Sequence, residues 1–137
     1  MAEEQAGGEF DWVAAQSMCN TESMFTQLHA GVEKDVSSRN RLTGRDDDWR
    51  FELHADDDGF EVTRLRAGDT KVLAAVTFEQ HGRRILVHGE DVEVALTVIV
   101  ILDVAGHCRF VVGEAEYSDW EIRRMALEQL FFEDAGD

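Results

Sequence analysis

The longest apolar stretch of the chain, from Val92 to Leu102, has the pattern of a β-strand. Seven of its eleven residues are Val, Ile or Thr, whose branched side chains favour a pleated strand over a helix. One face is apolar throughout, whereas the other becomes apolar only after Thr97. The first face comprises Val92, Val94, Leu96, Val98, Val100 and Leu102. This predicts an interior strand with one face in the core and the other covered only over its last part.

Shorter alternating segments predict further strands joined by tight turns. Residues 49–54 alternate apolar and polar side chains, and Gly59 ends an Asp-rich turn before the next such segment. At residues 64–66 the apolar phase changes by one position, which indicates a β-bulge. The last predicted strand is Cys108–Val112. Because every connection is short, the pattern predicts an antiparallel meander of about six strands.

Helical spacing of apolar residues predicts a helix near the start of the chain. Asp11 can cap a helix that begins at Trp12 and runs to about Ser38. Asn20-Thr21 is the place where it could be kinked, because both residues favour helix caps. The predicted buried stripe comprises Val13, Ser17, Met18, Thr21, Phe25, Leu28, Val32 and Val36.

The C-terminal helix has the strongest local signature. Ser118 and Glu121 have the spacing of a capping box, and Tyr117 and Ile122 occupy the hydrophobic-staple positions beside it. Apolar residues cover more than half of the helix circumference, whereas a helix lying on one sheet face needs only a stripe. The excess predicts contact with a second surface, either the first helix or another subunit.

Together these elements predict an α+β fold, with an N-terminal helix, the meander and a C-terminal helix in a two-layer sandwich. With 137 residues the chain is expected to form a single domain over residues 10–133. A flexible acidic leader is expected at 1–9 and an acidic tail at 134–137. Proline is absent, so no rigid proline linker divides the chain.

The net charge of −16 limits the partners that can be expected. With 29 acidic and 13 basic residues, the chain should repel phosphate backbones, which disfavours direct nucleic-acid binding. The acidity is explained by solubility, by adaptation to high salt, or by an acidic face that binds a basic protein. That face would comprise Asp46, Asp47, Asp48, Asp56, Asp57 and Asp58.

The cysteines and the first residues predict a location. Cys19 and Cys108 occur in an ordinary globular composition, and we interpret them as free buried thiols in a reducing compartment. The first nine residues are acidic and lack an apolar run, which argues against a secretory signal. No segment has the length and apolar character of a membrane helix. The predicted location is the cytoplasm.

Local motifs of catalysis and cofactor binding are missing from the sequence. It contains no phosphate-binding glycine loop, no paired metal-binding cysteines, no His-Glu-x-x-His helix and no nucleophile elbow. His54 lies near the turn at residues 56–58, but the spacing there does not match a calcium loop. We therefore expect no cofactor, no metal and no catalytic residue. A site assembled from distant residues stays open, so an enzyme is the less favoured alternative.

The favoured hypothesis is a small acidic protein-binding module, chaperone-like or adaptor-like, that forms a homodimer. It would bind another protein through Trp120, Leu127, Phe131 and Phe132 on the apolar face of the C-terminal helix. In its small size, acidity, mixed α/β content and amphipathic C-terminal helix, the chain resembles the small acidic bacterial secretion chaperones. That family normally places a helix in the middle of its strands, and none is predicted here.

Two other functions remain as alternatives. The chain could be an acidic inhibitor or nucleic-acid mimic, whose aspartates bind a basic protein rapidly and in a salt-dependent way. It could also enclose a small ligand between a helix and a curved sheet, in a pocket lined by Trp49 and Phe51 together with Trp120. The acid or base of such a pocket would be His54 or Glu52, but the alternating pattern places both on the outer face.

Overall fold

The computed structural model describes residues 9–42 and 47–133. The elements are α1 Trp12–Met18, α2 Thr21–Asn40, β1 Trp49–Ala55, β2 Gly59–Arg66, β3 Val72–His81, β4 Arg84–Glu90, β5 Ala95–Leu102, β6 Cys108–Val112, β7 Ala115–Tyr117 and α3 Asp119–Phe132. This confirms the predicted α+β fold, with seven strands where about six were expected. The acidic tail and all but the last residue of the leader lie outside the described residues.

The seven strands form one antiparallel sheet in which neighbours in sequence are neighbours in space. No helix interrupts residues 49–117, so the order differs from that of the secretion chaperones. The long apolar stretch supplies β5, an interior strand that begins at Ala95 rather than Val92. The face that was predicted to lie in the core does so at Val98, which is fully buried, whereas Ile99 on the other face is 44% exposed.

The register of β2 against β3 shifts between Arg64 and Leu65, which confirms the predicted bulge. The shift leaves Arg64 on the core side of the sheet, where it is only 2% exposed. A buried arginine must find hydrogen-bond acceptors, because an unpaired charge in the core would cost several kcal/mol.

Helices α2 and α3 cover one face of the sheet and complete the core. α2 buries Met24, Leu28, Val32 and Val36, which pack in the same cluster as the sheet residues Phe60 and Phe78. α3 buries Ile122, Ala126, Leu127, Leu130 and Phe131. α3 also contacts α2, which is the longer part of the predicted N-terminal helix. One surface that meets the wide apolar face of α3 is therefore α2. No helix in the described ranges is long and apolar enough to cross a bilayer.

The N-terminal helical region consists of two helices, not the single helix that the sequence predicted. Asn20 is extended, with φ of −135°, and its side chain accepts a hydrogen bond of 2.8 Å from the backbone N–H of Ser23. A capping residue of this kind begins a new helix. α1 buries no residue, and Val13 and Met18 of the predicted stripe are exposed.

The two cysteines are joined in a disulfide, so the prediction of free thiols is wrong. Cys19, between α1 and α2, is bonded to Cys108 at the start of β6, with 89 residues of sequence separation. The sequence pattern placed both residues in the core but could not show that the junction of the helices lies beside β6. The disulfide joins the segment between α1 and α2 to β6, the strand next to one edge of the sheet.

The predicted capping box of α3 is present. The carboxylate of Glu121 accepts a hydrogen bond of 2.9 Å from the backbone N–H of Ser118, which precedes the helix. This bond is the main reason why the pKa of Glu121 lies below its ordinary value. Asp119 adds a second carboxylate to the first turn, where the helix dipole favours negative charge.

The C-terminal end of α3 is capped by two buried arginines. Arg64 donates to the carbonyl oxygens of Leu130 and Glu133, at 2.9 and 2.6 Å. Arg39, at the end of α2, donates to the carbonyl oxygen of Phe131 at 2.8 Å. The carbonyls of Leu130 and Phe131 have no partner within the helix, so the arginines satisfy acceptors on two buried residues that would otherwise be unpaired.

We expect the disulfide to contribute to stability because it restricts the unfolded chain over a long loop. Replacing Cys19 and Cys108 with Ser should lower the free energy of unfolding by about 2–4 kcal/mol. Urea unfolding of the native chain should show a similar decrease when a dithiol reductant is added, and the double variant should not respond to it. Two titratable thiols in the unreduced, unfolded native chain would contradict the assignment.

We expect acid to destabilise the β5–β6 hairpin through Asp103. Its carboxylate accepts hydrogen bonds from the backbone N–H groups of His107 and Ala105, at 2.8 and 2.9 Å. It also lies 3.4 Å from Nε of Arg109. The bond from His107 is the largest cause of the lowered pKa of Asp103.

A lowered carboxyl pKa contributes stability that is complete above the unfolded value of about 3.9 and is lost as pH falls through the native value. The urea midpoint should therefore fall below about pH 4 less steeply for Asp103→Asn than for the native chain. Asp57→Asn, in an exposed turn, controls for the change in net charge. Equal slopes for the native chain and Asp103→Asn would contradict this role.

Candidate functional site

An open groove of about 460 Å³ lies between α2 and α3. Its lining comprises Asp35, Ser38, Arg39, Leu42, Trp120, Arg123, Arg124, Leu127, Glu128, Phe131 and Phe132. All of these residues belong to the two helices except Leu42, which follows α2. The groove is therefore a feature of the helical layer and not a cavity between helix and sheet.

The groove has an apolar floor and exposed apolar edges. Leu127 and Phe131, which form part of the hydrophobic core, lie at its base and are almost fully buried. Trp120, Phe132 and Leu42 line it with 56, 47 and 48% of their surfaces exposed. Large side chains left in water beside a concave apolar surface are typical of a binding site.

Arg123 holds the two helices together along the groove. It bonds the carboxylate of Asp119 within α3, and it reaches across to Asp35 of α2 at 2.7 Å. Burial alone would lower the pKa of Arg123, but its hydrogen bonds to Asp35 and Asp119 outweigh that effect and raise the pKa. The arginine therefore stays charged, and its charge is paired with carboxylates of the same chain.

Gly31 makes this crossing contact geometrically allowed. A Cβ at this position of α2 would lie 2.5 Å from Nε of Arg123, so the guanidinium would have to move away from its present position. The guanidinium occupies that space and also lies 3.3 Å from the carbonyl oxygen of Gly31. A glycine inside a helix is locally unfavourable, and here it is explained by the close approach of α3.

Arg39 anchors the other end of the groove. Besides its bond to the backbone of Phe131, it forms an ion pair of 3.0 Å with Asp47. Its guanidinium carbon lies 4.9 Å from the ring centroid of Phe51 and 5.5 Å from that of Phe132. Phe132 is thus positioned by a cation–π contact even though half of its surface is exposed.

The four residues predicted to bind a partner all line this groove. Trp120 and Phe132 are exposed at its edges, whereas Leu127 and Phe131 lie in its floor and also pack in the core. The sequence did not predict the contribution of α2, because Asp35, Ser38 and Leu42 have no pattern that distinguishes them from an ordinary helix surface.

The predicted pocket at Trp49 and Phe51 is filled by protein side chains. The ring of Phe51 lies 4.9 Å from that of Phe131, edge to face, and Phe51 is only 2% exposed. The guanidinium carbon of Arg64 lies 4.0 Å from the ring centroid of Trp49. Neither residue lines the groove, and only Trp120 of the predicted trio does.

The predicted acidic residues do not form one face. Asp47 is turned toward the buried Arg39, and Asp48 is exposed beside Arg66, whereas Asp46 lies outside the described residues. The second run, at residues 56–58, is exposed at the opposite end of β1. This strand has seven residues, so the two runs are separated by roughly 20 Å.

The outer face of the sheet carries histidines paired with glutamates. Nε2 of His81 and of His88 lie 3.3 and 3.6 Å from the same oxygen of Glu79, and His54 lies 3.4 Å from Glu52. Both His54 and Glu52 point outward, as the alternating pattern predicted. Within the described ranges, no group of three or more His, Cys, Asp or Glu residues is arranged to hold a metal ion.

A second exposed apolar patch lies on and beside α1. Phe10, Trp12, Val13 and Met18 are each more than half exposed. Val13 and Met18 were predicted to belong to a buried stripe, but the break at Asn20 separates α1 from α2, and α1 buries no residue. The groove differs from this patch because it is concave and is built from two helices.

Comparison with known proteins adds no information about function. No protein-family model matches the chain, and no curated protein or solved structure is significantly similar to it.

Proposed function

We propose that the protein is a small acidic protein-binding module without catalytic activity, and that the groove between α2 and α3 binds apolar side chains of its partner. The observation that carries this proposal is the exposure of Trp120 and Phe132 beside the buried floor of Leu127 and Phe131. Tryptophan in a desolvated pocket is a frequent centre of binding energy in protein interfaces. A groove between two helices is also a common receptor for an amphipathic helix.

The charged residues of the groove favour binding over catalysis. Arg39 and Arg123 are engaged by Asp47, Asp35 and Asp119. The remaining two, Arg124 and Glu128, form an exposed ion pair of 3.3 Å. This lining offers no nucleophile activated by a neighbouring base, which is the arrangement that covalent catalysis requires.

The acidic-inhibitor alternative has weaker support. The net charge of −16 would attract a basic protein, but the aspartate runs lie at opposite ends of β1 and Asp47 is paired internally. The ligand-cavity alternative also has weaker support, because Phe51 is packed against Phe131 where the pocket was expected.

The location of the protein must be proposed anew. The cytoplasm was predicted partly from free thiols, and the Cys19–Cys108 disulfide removes that argument. Persistent disulfides are rare in the cytosol, so this bond favours an oxidising compartment over the cytoplasmic location that we expected.

The function is tested by removing the exposed aromatic side chains of the groove. The double variant Trp120→Ser, Phe132→Ser should lose a protein that the tagged native chain captures from a lysate of its own source, because each aromatic anchor contributes about 2 kcal/mol or more to binding. Trp12→Ser is the matched control, since Trp12 is also exposed but lies on α1.

Capture should survive moderate salt, because the contact is apolar. A captured basic protein that is lost as salt rises, equally from the native chain and the double variant, would contradict the groove and support the acidic inhibitor.

A further inference from the structure

The exposed residues of α3 form a single row. Trp120, Arg124, Glu128 and Phe132 follow one another at intervals of four, and every other residue of Asp119–Phe132 is buried or half-buried. Residues four apart lie on one helix face, so the row extends about 18 Å along the axis. We name these four residues the α3 ridge. All four also line the groove.

The α3 ridge is complementary to itself when a second copy is turned end for end. Trp120 and Phe132 lie six residues on either side of Ala126, and Arg124 and Glu128 lie two residues on either side. A two-fold axis through the midpoint of the ridge, between Arg124 and Glu128, therefore places Trp120 against Phe132 of the second copy, and Arg124 against Glu128 of the second copy. An isologous interface requires this kind of patch, in which each contact occurs twice.

We propose that a second copy of this chain occupies the groove, docked antiparallel through the α3 ridge. This inference rests on the proposed function, because it names the partner that the groove binds. Rows of residues four apart form the commonest class of helix packing, in which the axes cross at about 50°. The ion pairs between Arg124 and Glu128, one in each chain, then join into a ring of alternating charge.

The charge of the ridge favours this occupant despite the charge of the whole chain. The ridge carries one cation and one anion, so a second ridge brings no net like charge to the contact. The total of −16 per chain opposes association at long range, but salt at physiological strength screens charges over about 8 Å. One helix ridge is a small interface, so we expect a dissociation constant on the order of micromolar.

The test is sedimentation velocity of the full chain over a range of concentrations at physiological salt. The native chain should dimerise, and Arg124→Glu and Glu128→Arg should each weaken the dimer by about tenfold or more, because each creates two like-charge contacts. An equimolar mixture of these variants should recover nearly native affinity, since the heterodimer has opposite charges at both contacts. Circular dichroism checks that each exposed substitution leaves the fold intact.

The two reversals also separate local pairing from overall charge. Glu128→Arg makes the chain less negative, so a general charge effect would strengthen its dimer, whereas the proposed pairing weakens it. A Glu128→Arg dimer as tight as the native one, or a native chain that stays monomeric at every concentration, would overturn the proposal. Suppose that the chain is monomeric, and that the native chain captures a protein that the double variant Trp120→Ser, Phe132→Ser does not. The proposed dimer is then wrong, and the proposed function stands.

Discussion

The structure depends on how the backbone carbonyl oxygens at the buried C-terminal end of α3 find hydrogen-bond donors. The last carbonyls of a helix have no partners within it, and here Leu130 and Phe131, which carry two of them, are themselves almost fully buried. Arg64 and Arg39 donate to these carbonyls from β2 and α2, respectively. Positive charge is also favoured at this end of the helix dipole. Each arginine thus supplies donors to the carbonyl oxygens of the helix end, and these oxygens in turn supply acceptors for its buried charge.

These contacts determine where the groove lies. Because Arg39 belongs to α2 and Arg64 to β2, the end of α3 is fixed against both the neighbouring helix and the sheet. At the other end of α3, Arg123 reaches Asp35 across the space that Gly31 leaves open. The contacts of Arg39 and Arg123 thus join α2 to α3 at two places along the groove that Trp120 and Phe132 line.

Much of this arrangement could be predicted from local sequence patterns. Period-two alternation identified most of the sheet, and the capping box identified the start of α3, because both signals depend on residues close in sequence. The phase change at residues 64–66 correctly indicated a bulge. The three-residue strand β7 was missed because it is too short to show alternation.

The contacts between distant residues could not be predicted. The disulfide joins residues 89 apart, and the ion pair from Arg123 to Asp35 joins residues 88 apart, so no local pattern indicates either. Trp120 and Phe132 were predicted to be a contact surface from the wide apolar face of the helix. The opposite wall of the groove, from α2, depends on how the helices pack and has no sequence signal.

Amide hydrogen exchange along α3 in the Arg64→Met variant tests most directly whether the buried arginine holds the end of the helix. Methionine keeps the unbranched apolar stem of the side chain but has no guanidinium to donate to the carbonyls. We predict that amides in the last turn of α3 exchange roughly 30-fold faster, corresponding to about 2 kcal/mol, while an Arg66→Met control changes little because Arg66 is exposed. Unchanged protection of the last turn in Arg64→Met would contradict the claim that the buried arginine holds the helix.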